Sequence, residues 1–147
     1  MPSRRKLIEQ VKVVEALASV RLTPGAITQN GTVVDRKGFL SCKAILNVGI
    51  TTSASTANQD IEAVLYHNTT TAAASFSAYL TASFSLLVTA ADTAGASASS
   101  VDELDLSGAA RYIQLHFTGT NTTTGGVSAS MAAVFILGDA INEPVSQ

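Results

Sequence analysis

Few residues of this 147-residue chain have side chains that could perform acid–base, nucleophilic or metal chemistry. The two histidines, His67 and His116, could act as general bases, because an imidazole titrates near neutral pH. Each lies in an alternating, strand-like stretch, and none of the sixteen serines sits in a Gly-x-Ser-x-Gly nucleophile motif. We therefore predict that both are partly exposed strand histidines and that the protein is not an enzyme.

An acidic run, Asp102, Glu103 and Asp105, is the best candidate for metal ligation. Calcium takes six to eight oxygen ligands, and this run lacks the Asp, Asn and Gly spacing of a dedicated calcium loop. Leu104 and Leu106 alternate with the acids, which indicates a strand with one solvated face. The sequence therefore predicts no bound metal and no cofactor.

The single cysteine, Cys42, excludes an intrachain disulfide and a zinc site built from several cysteines. It lies in an alternating stretch with Ala44 and Leu46 on the same side. We expect it to pack as a small buried apolar residue.

Basic residues are concentrated at one end of the chain. Eight of the nine Lys and Arg residues lie in the first 43 positions, and Arg111 is the ninth. A net charge of −2 and a pI near 5.5 argue against a nucleic-acid partner.

Residues 7–20 contain three charges, unlike a secretory signal, and 131–137 is too short to span a membrane. We expect synthesis and folding in the cytoplasm, with no membrane partner.

Alternating apolar and polar residues predict the elements that hold these groups. The predicted strands share this period of two and cover 41–50, 61–67, 84–89, 111–118 and 127–137. Asn30-Gly31 predicts a two-residue hairpin turn between 26–29 and 32–35. The predicted loops are rich in small polar residues and cover 51–59, 68–77, 90–100 and 120–126. A helical turn is an alternative for 72–80. This pattern predicts an all-β fold, either an antiparallel β-sandwich or a jelly roll.

Pro24 separates two predicted parts: an N-terminal arm over residues 1–24 and a β-sandwich domain over 25–147. Residues 7–20 fit either a short helix or an extended segment. We expect the arm to reach an adjacent subunit, with its cations near acidic groups and its apolar side chains buried. The predicted partner-contact residues are Arg4, Arg5, Lys6, Leu7, Val11, Lys12, Val14 and Leu17.

Several phrases of the sequence occur together in one order. They are Asn30-Gly-Thr-Val-Val-Asp35, Lys37-Gly-Phe39, Ile45-Leu-Asn-Val-Gly49, Ala110-Arg-Tyr-Ile-Gln-Leu-His-Phe-Thr-Gly119, Gly125-Gly-Val-Ser-Ala-Ser130, Phe135-Ile-Leu-Gly-Asp-Ala140 and Pro144. In this order they resemble small β-rich virion proteins of tailed bacteriophages over about residues 25–144. The stretch between Asp60 and Val88 departs from that pattern, because Ala, Ser and Thr stand where Asp and Glu are usual.

This resemblance implies a capsid cement or decoration protein on the capsid exterior. Its expected partners are the major capsid protein and further copies of itself, with a trimer favoured over a dimer. Ala, Ser and Thr supply 56 of the 147 residues and only 14% are charged, which suits close protein–protein contacts. The alternatives are a neck, tail or head-spike protein, or a β-sandwich module that binds carbohydrate or a cell surface.

Overall fold

The computed structural model describes residues 11–22, 25–50, 56–79, 84–90, 97–124 and 129–140. These segments form ten strands and one short 3-10 turn, Ala73–Ser75. The strands are β1 (Lys12–Leu22), β2 (Gly25–Asn30), β3 (Val34–Asp35), β4 (Phe39–Ile50), β5 (Thr56–Asn68), β6 (Ser77–Ala78), β7 (Phe84–Ala90), β8 (Ser97–Asp105), β9 (Tyr112–Thr124) and β10 (Ala129–Ala140). The all-β prediction is confirmed.

Two antiparallel sheets pack as a sandwich. The four-stranded sheet has the order β1-β10-β4-β8. In the second sheet β9 and β5 are central; β2 and β3 pair with the far side of β9, and β6 and β7 with the far side of β5. The chain crosses repeatedly from one sheet to the other, so strands distant in sequence become neighbours. This arrangement is jelly-roll-like.

Every second residue of the long strands faces the interior, as the alternation predicts. In β4 these residues are Cys42, Ala44, Leu46 and Val48, and none is more than 3% exposed. In β5 and β9 they are Ile61, Ala63, Leu65, Ile113, Leu115 and Phe117, which are at most 1% exposed. Burial of each large apolar side chain contributes roughly 1.5–3 kcal/mol, so these facing rows supply the main driving force for folding.

The predicted hairpin at Asn30-Gly31 is wrong. Both flanking strands pair with β9 rather than with each other: Asn30 lies opposite His116 in β2, and Val34 opposite Ile113 in β3. Gly31 continues the pairing by donating its N–H to the Leu115 carbonyl at 2.8 Å. From Asn30 to Val34 this edge then advances four residues while β9 advances three, and such an extra residue bends a strand. Two turn-forming residues therefore mark a bend along one edge of a sheet, not a strand reversal.

The bend also joins the two sheets. The register of β1 against β10 shifts between Glu15 and Leu17, which leaves Ala16 as an extra residue of a β-bulge. The Ala16 carbonyl accepts a hydrogen bond from the Thr32 N–H at 2.7 Å. A Cβ atom on Gly31 would lie 2.3 Å from this carbonyl oxygen, so only glycine fits here.

Residues 12–22, which the sequence assigns to an arm, form a strand of the sandwich. Lys12 lies opposite Leu137 and Leu22 opposite Ala129 along β10. Of the two conformations left open for this segment, the extended one is correct. The reason is the apolar inner face of β10, which an edge strand covers with Val14, Leu17 and Val20.

Three predicted loops are shorter than expected because the strands continue into them. Thr56–Gln59 belongs to β5, Ser97–Ser100 to β8, and Thr120–Thr124 to β9. The remainder of these loops lies outside the described residues. Thr-rich and Ser-rich sequence can pair as strand where a neighbouring strand supplies backbone partners, so loop-like composition did not predict the strand ends.

We predict that Gly31→Ala lowers the free energy of unfolding by about 1–3 kcal/mol, because the new methyl group must displace the Ala16 backbone. Gly49→Ala is the matched control, since a Cβ atom there meets nothing within 4 Å. Urea unfolding of both variants measures the difference. Equal stabilities would contradict this account of the bend.

Candidate functional site

His116 lies on the outer face of the second sheet, stacked against Tyr66. The ring centroids are 3.7 Å apart and the rings are nearly parallel, at 10°. His116 Nε2 is 2.9 Å from Gln114 Oε1, and the Gln114 amide nitrogen donates to the Gly31 carbonyl at 2.7 Å. This orientation makes Oε1 the acceptor, so the hydrogen is on Nε2 of His116. Partial burial lowers the pKa of His116 below its ordinary value of 6.5.

His67 lies at one end of the sandwich and accepts a hydrogen bond at Nδ1 from the Ala110 N–H at 2.9 Å. Its ring contacts Tyr79, whose hydroxyl accepts the Gly108 N–H at 3.1 Å. The imidazole therefore supports the loop between β8 and β9. Both histidines are half-buried strand residues, as predicted, and each has a structural partner.

Arg36 fixes the same end of the molecule. Its guanidinium donates to the carbonyl of Ala110 at 2.9 Å, to that of Phe39 at 2.8 Å, and to that of Ala109. The planar fork of arginine holds three carbonyls at once, which a lysine cannot match. The Arg36 guanidinium thus connects the β3–β4 turn to the β8–β9 loop.

An exposed ion pair flanks this network. Arg111 Nη2 lies 2.6 Å from Asp35 Oδ2, and Nε contacts both carboxylate oxygens at 3.0 Å. The hydrogen bond from Arg111 lowers the pKa of Asp35. Both side chains are more than one third exposed, so solvent screening reduces their contribution to stability.

The acidic run lies in β8, an edge strand of the four-stranded sheet, and its alternation correctly predicted a strand with an exposed face. Leu104 and Leu106 are buried, whereas Glu103 and Asp105 are exposed. Glu103 pairs with Lys43 at 2.7 Å, and this contact lowers the pKa of Glu103. The Ser107 N–H donates to Asp105 at 2.8 Å and lowers the pKa of that carboxyl. Among the described residues, no three His, Cys, Asp or Glu side chains cluster as metal ligands would.

The outer face of the four-stranded sheet is unusually apolar. Ile45 at its centre lies opposite Val134 on one side and Val101 on the other, while Ile136 lies opposite Val13. Val13 and Val101 are 67% and 53% exposed. We call these five residues the outer apolar patch. Contiguous exposed apolar surface is typical of protein–protein contacts.

Two shallow grooves follow the same outer face. The larger, about 690 Å³, lies between the ends of β4, β8 and β10 and is lined by Leu40, Lys43, Glu103, Asp105 and Ile136 among others. The smaller, about 360 Å³, lies at the opposite end of these strands beside Asn47, Ser99 and Ala132. Cys42, which is 3% exposed, also lines the larger groove.

The predicted partner-contact residues have different environments. Lys12 is exposed and Val11 half-buried, so both are accessible to a partner. Val14 packs against the core, and Leu17 is 4% exposed within it. Arg4, Arg5, Lys6 and Leu7 lie outside the described residues. Val14 and Leu17 therefore point into the interior of the sandwich.

The outer apolar patch was missed by the sequence reasoning. Residues 131–137 are apolar on both strand faces, because Val134 and Ile136 alternate with buried Phe135 and Leu137. A strand that is apolar on both faces indicates that both are covered. The sequence alone therefore contains a signal for this surface, in the run of apolar residues from 131 to 137.

No protein family and no curated protein matches this sequence. A chain in the structure of infectious bursal disease virus, Gx strain, has a similar fold, with a TM-score of 0.54 and 14% identity. The alignment covers 92% of this chain and 33% of the viral chain, so this chain spans about a third of its length. At this identity the likeness shows the fold, a β-rich architecture present in a virus.

Among the described residues, no helix is long and apolar enough for a membrane span.

We predict that Arg36→Lys lowers the free energy of unfolding by about 1–3 kcal/mol, since at least one carbonyl loses a charge-assisted hydrogen bond. The neighbouring exposed residue provides the control, Lys37→Met, which should change stability by less than about 0.5 kcal/mol. Chemical denaturation compares the two. A loss no greater than that of the control would contradict the bridging role.

We predict that His116 makes stability depend on pH. Its pKa is lowered in the folded state, so the unfolded chain binds the proton more tightly. The contribution of His116 to the free energy of unfolding should be constant above pH 6.5. It should fall as the pH drops from there through the folded-state pKa. The difference in unfolding free energy between the wild type and His116→Gln, measured from pH 8 to pH 5, isolates this slope. A difference that is flat across the range would exclude it.

Proposed function

We propose that this protein is a structural component of a virus particle that binds the capsid shell as a cement or decoration protein. The observation that carries the proposal is the jelly-roll-like order of the sheets, which is similar over 92% of the chain to a chain of a virus structure. Jelly rolls occur in viral capsid domains and also in lectins and cupins, so the proposal needs support from the surface.

The outer apolar patch supplies that support. In its central row Val101 is 53% exposed, while Val134 and Ile45 are half-buried. The ion pair of Lys43 with Glu103 flanks the row. An apolar centre with a charged rim is the usual composition of an interface. The proposed partner of this surface is the major capsid protein.

The hydrogen bonds of the histidines and of Arg36 favour a structural role for these side chains over a catalytic one. His67, His116 and Arg36 are engaged with backbone carbonyls, backbone N–H groups or an amide, rather than aimed into a common cleft. A catalytic constellation needs a nucleophile, a base and an orienting group in contact around a substrate position. The proposal therefore assigns the protein no reaction and no cofactor.

The predicted arm has a narrower role in this proposal. Removing residues 1–24 would strip β1 from β10 and expose the core around Leu17. Contact with a neighbouring subunit is therefore assigned to Arg4, Arg5, Lys6 and Leu7, with Val11 and Lys12 at the start of β1. Copies of the chain assemble on the capsid exterior, and a trimer fits a three-fold position of the shell.

Particle binding tests the proposal. Purified protein is mixed with capsids that lack it, and the bound copies are counted after sedimentation. Val13→Lys should reduce the affinity at least about tenfold, because it places a charge on the apolar surface without touching the core. Val64→Lys, on the outer face of the other sheet, is the control and should bind as the wild type does.

Folding of both variants is checked by thermal unfolding. Val13→Lys protein that binds capsids as tightly as the wild type would contradict the assignment of this face. Wild-type protein that does not sediment with capsids would contradict the proposed function itself.

A further inference from the structure

Within the described part of the chain, most edges of the two sheets are protected against a further strand. The β1 edge has two register shifts and the exposed charges of Lys12 and Glu15, and both features discourage strand addition. At the opposite edge of the same sheet, β7 lies in contact with β8. The β6 edge is only two residues long, Ser77–Ala78. None of these three edges is suited to pairing with another chain.

The β2 edge is different. One side of β2 pairs with β9, and no strand in the described ranges pairs with its other side. The sequence Gly25-Ala-Ile-Thr-Gln-Asn30 contains no charge and no proline, and its pairing with β9 has no register shift. Ala26, Thr28 and Asn30 are exposed, whereas Ile27 is buried. A regular, uncharged and exposed edge of six residues can accept a further strand.

The hydrogen bonds of this edge show which backbone groups point to the open side. The Gly31 N–H donates to the Leu115 carbonyl, so every second residue back from Gly31 is also hydrogen-bonded to β9. The N–H and C=O groups of the three exposed residues therefore point away from β9. The Asn30 carbonyl agrees with this assignment, because it accepts the Gln29 side-chain amide at 3.1 Å. A carbonyl oxygen has a second lone pair for another donor.

We propose that β2 of a second copy adds to this edge as an antiparallel strand, related by a two-fold axis that passes beside Thr28. Thr28 then lies opposite its own counterpart, and Ala26 lies opposite Asn30. All three residues on the open side exchange both backbone hydrogen bonds, which gives about six between the copies. An axis beside Ile27 or Gln29 sets one of the three opposite a residue outside β2 and gives only about four.

The composition of β2 identifies the occupant as a second copy. A two-fold pairing sets like residues side by side at its centre, so it requires a strand without charge there. The cross-strand neighbours on the outer face are Thr with Thr and Ala with Asn, and paired threonines hydrogen-bond favourably. An edge that selects a different protein gains specificity from charges, which β2 does not have.

The pairing goes beyond the proposed function and does not require a capsid. β2 belongs to the second sheet, whereas the outer apolar patch lies on the four-stranded sheet, so the two contacts use different surfaces. A two-fold contact uses the same patch of both copies and joins them in pairs. On a shell, such a contact links neighbouring three-fold groups.

Disulfide cross-linking tests the register. Hydrogen-bonded residues directly opposite each other in antiparallel strands have Cα atoms about 5.5 Å apart, within the range that a disulfide requires. Full-length Thr28→Cys protein is oxidised and separated by non-reducing electrophoresis. We expect a covalent dimer at several times the yield of Ala26→Cys, because the two copies of residue 26 lie four residues, about 13 Å, apart. The native Cys42 is buried and is present in every sample.

A double variant provides the positive control for the same register. Combining Ala26→Cys with Asn30→Cys should restore the dimer, since these positions lie opposite each other across the axis. Equal yields from Thr28→Cys and Ala26→Cys would overturn the register. No covalent dimer from Thr28→Cys above the wild-type level would overturn the contact.

A charge on the axis provides a second readout. Thr28→Lys places two like charges opposite each other and should weaken self-association about fivefold, measured by sedimentation equilibrium. Thr118→Lys is the matched control: this exposed residue lies opposite Thr28 on β9, and its two copies are three strand spacings, about 14 Å, apart. Salt screens charges at that distance, so its association should match the wild type.

Thermal unfolding checks that both lysine variants fold. Thr28→Lys protein that associates as strongly as Thr118→Lys would overturn the pairing.

Neither assay contains capsids. A covalent dimer from a protein that does not bind capsids would leave this inference standing while the proposed function fails. Capsid binding without a Thr28→Cys dimer would have the opposite meaning.

Discussion

The structure depends on one constraint: two sheets share a single apolar interior to which each long strand contributes every second residue. Ile61, Ala63 and Leu65 of one sheet belong to the same buried cluster as Cys42, Ala44 and Leu46 of the other. A shift of one residue in any strand would turn its buried residues outward. Register is therefore fixed by burial. The same constraint points the remaining residues of each strand outward, where their chemistry is free to serve contacts.

The two sheets are also joined where strands leave them. The Ala16 bulge turns a carbonyl away from β10 and towards Thr32, and Gly31 allows the backbones to meet. At the far end, Arg36 joins two loops through three carbonyls. Both connections use backbone carbonyl groups that accept no hydrogen bond from a neighbouring strand. They therefore join the parts of the sandwich without placing a charged group in its core.

Periodicity predicted the central strands and their inner faces correctly, because burial acts on each residue locally. The alternation of Cys42 to Val48 and of Ile61 to Leu65 needed no knowledge of partners. The hairpin predicted at Asn30-Gly31 is wrong, because a bend and a hairpin favour the same residues and differ only in which strand lies alongside. The assignment of Lys12–Leu22 to an arm failed for a related reason: an edge strand next to β10 is recognised only when β10 is known. Val101 and Ile45, far apart in sequence, likewise form one surface only through the pairing of β4 with β8.

The proposed function makes this sandwich a fixed part of a virus particle, held through its outer surfaces. A cryo-electron microscopy reconstruction of purified particles tests it most directly. The account predicts density on the capsid exterior that fits the two sheets at symmetry-related positions, with the outer face of the four-stranded sheet turned towards the shell. Particles of full infectivity in which no such density is present, and from which the protein is absent by mass spectrometry, would contradict it.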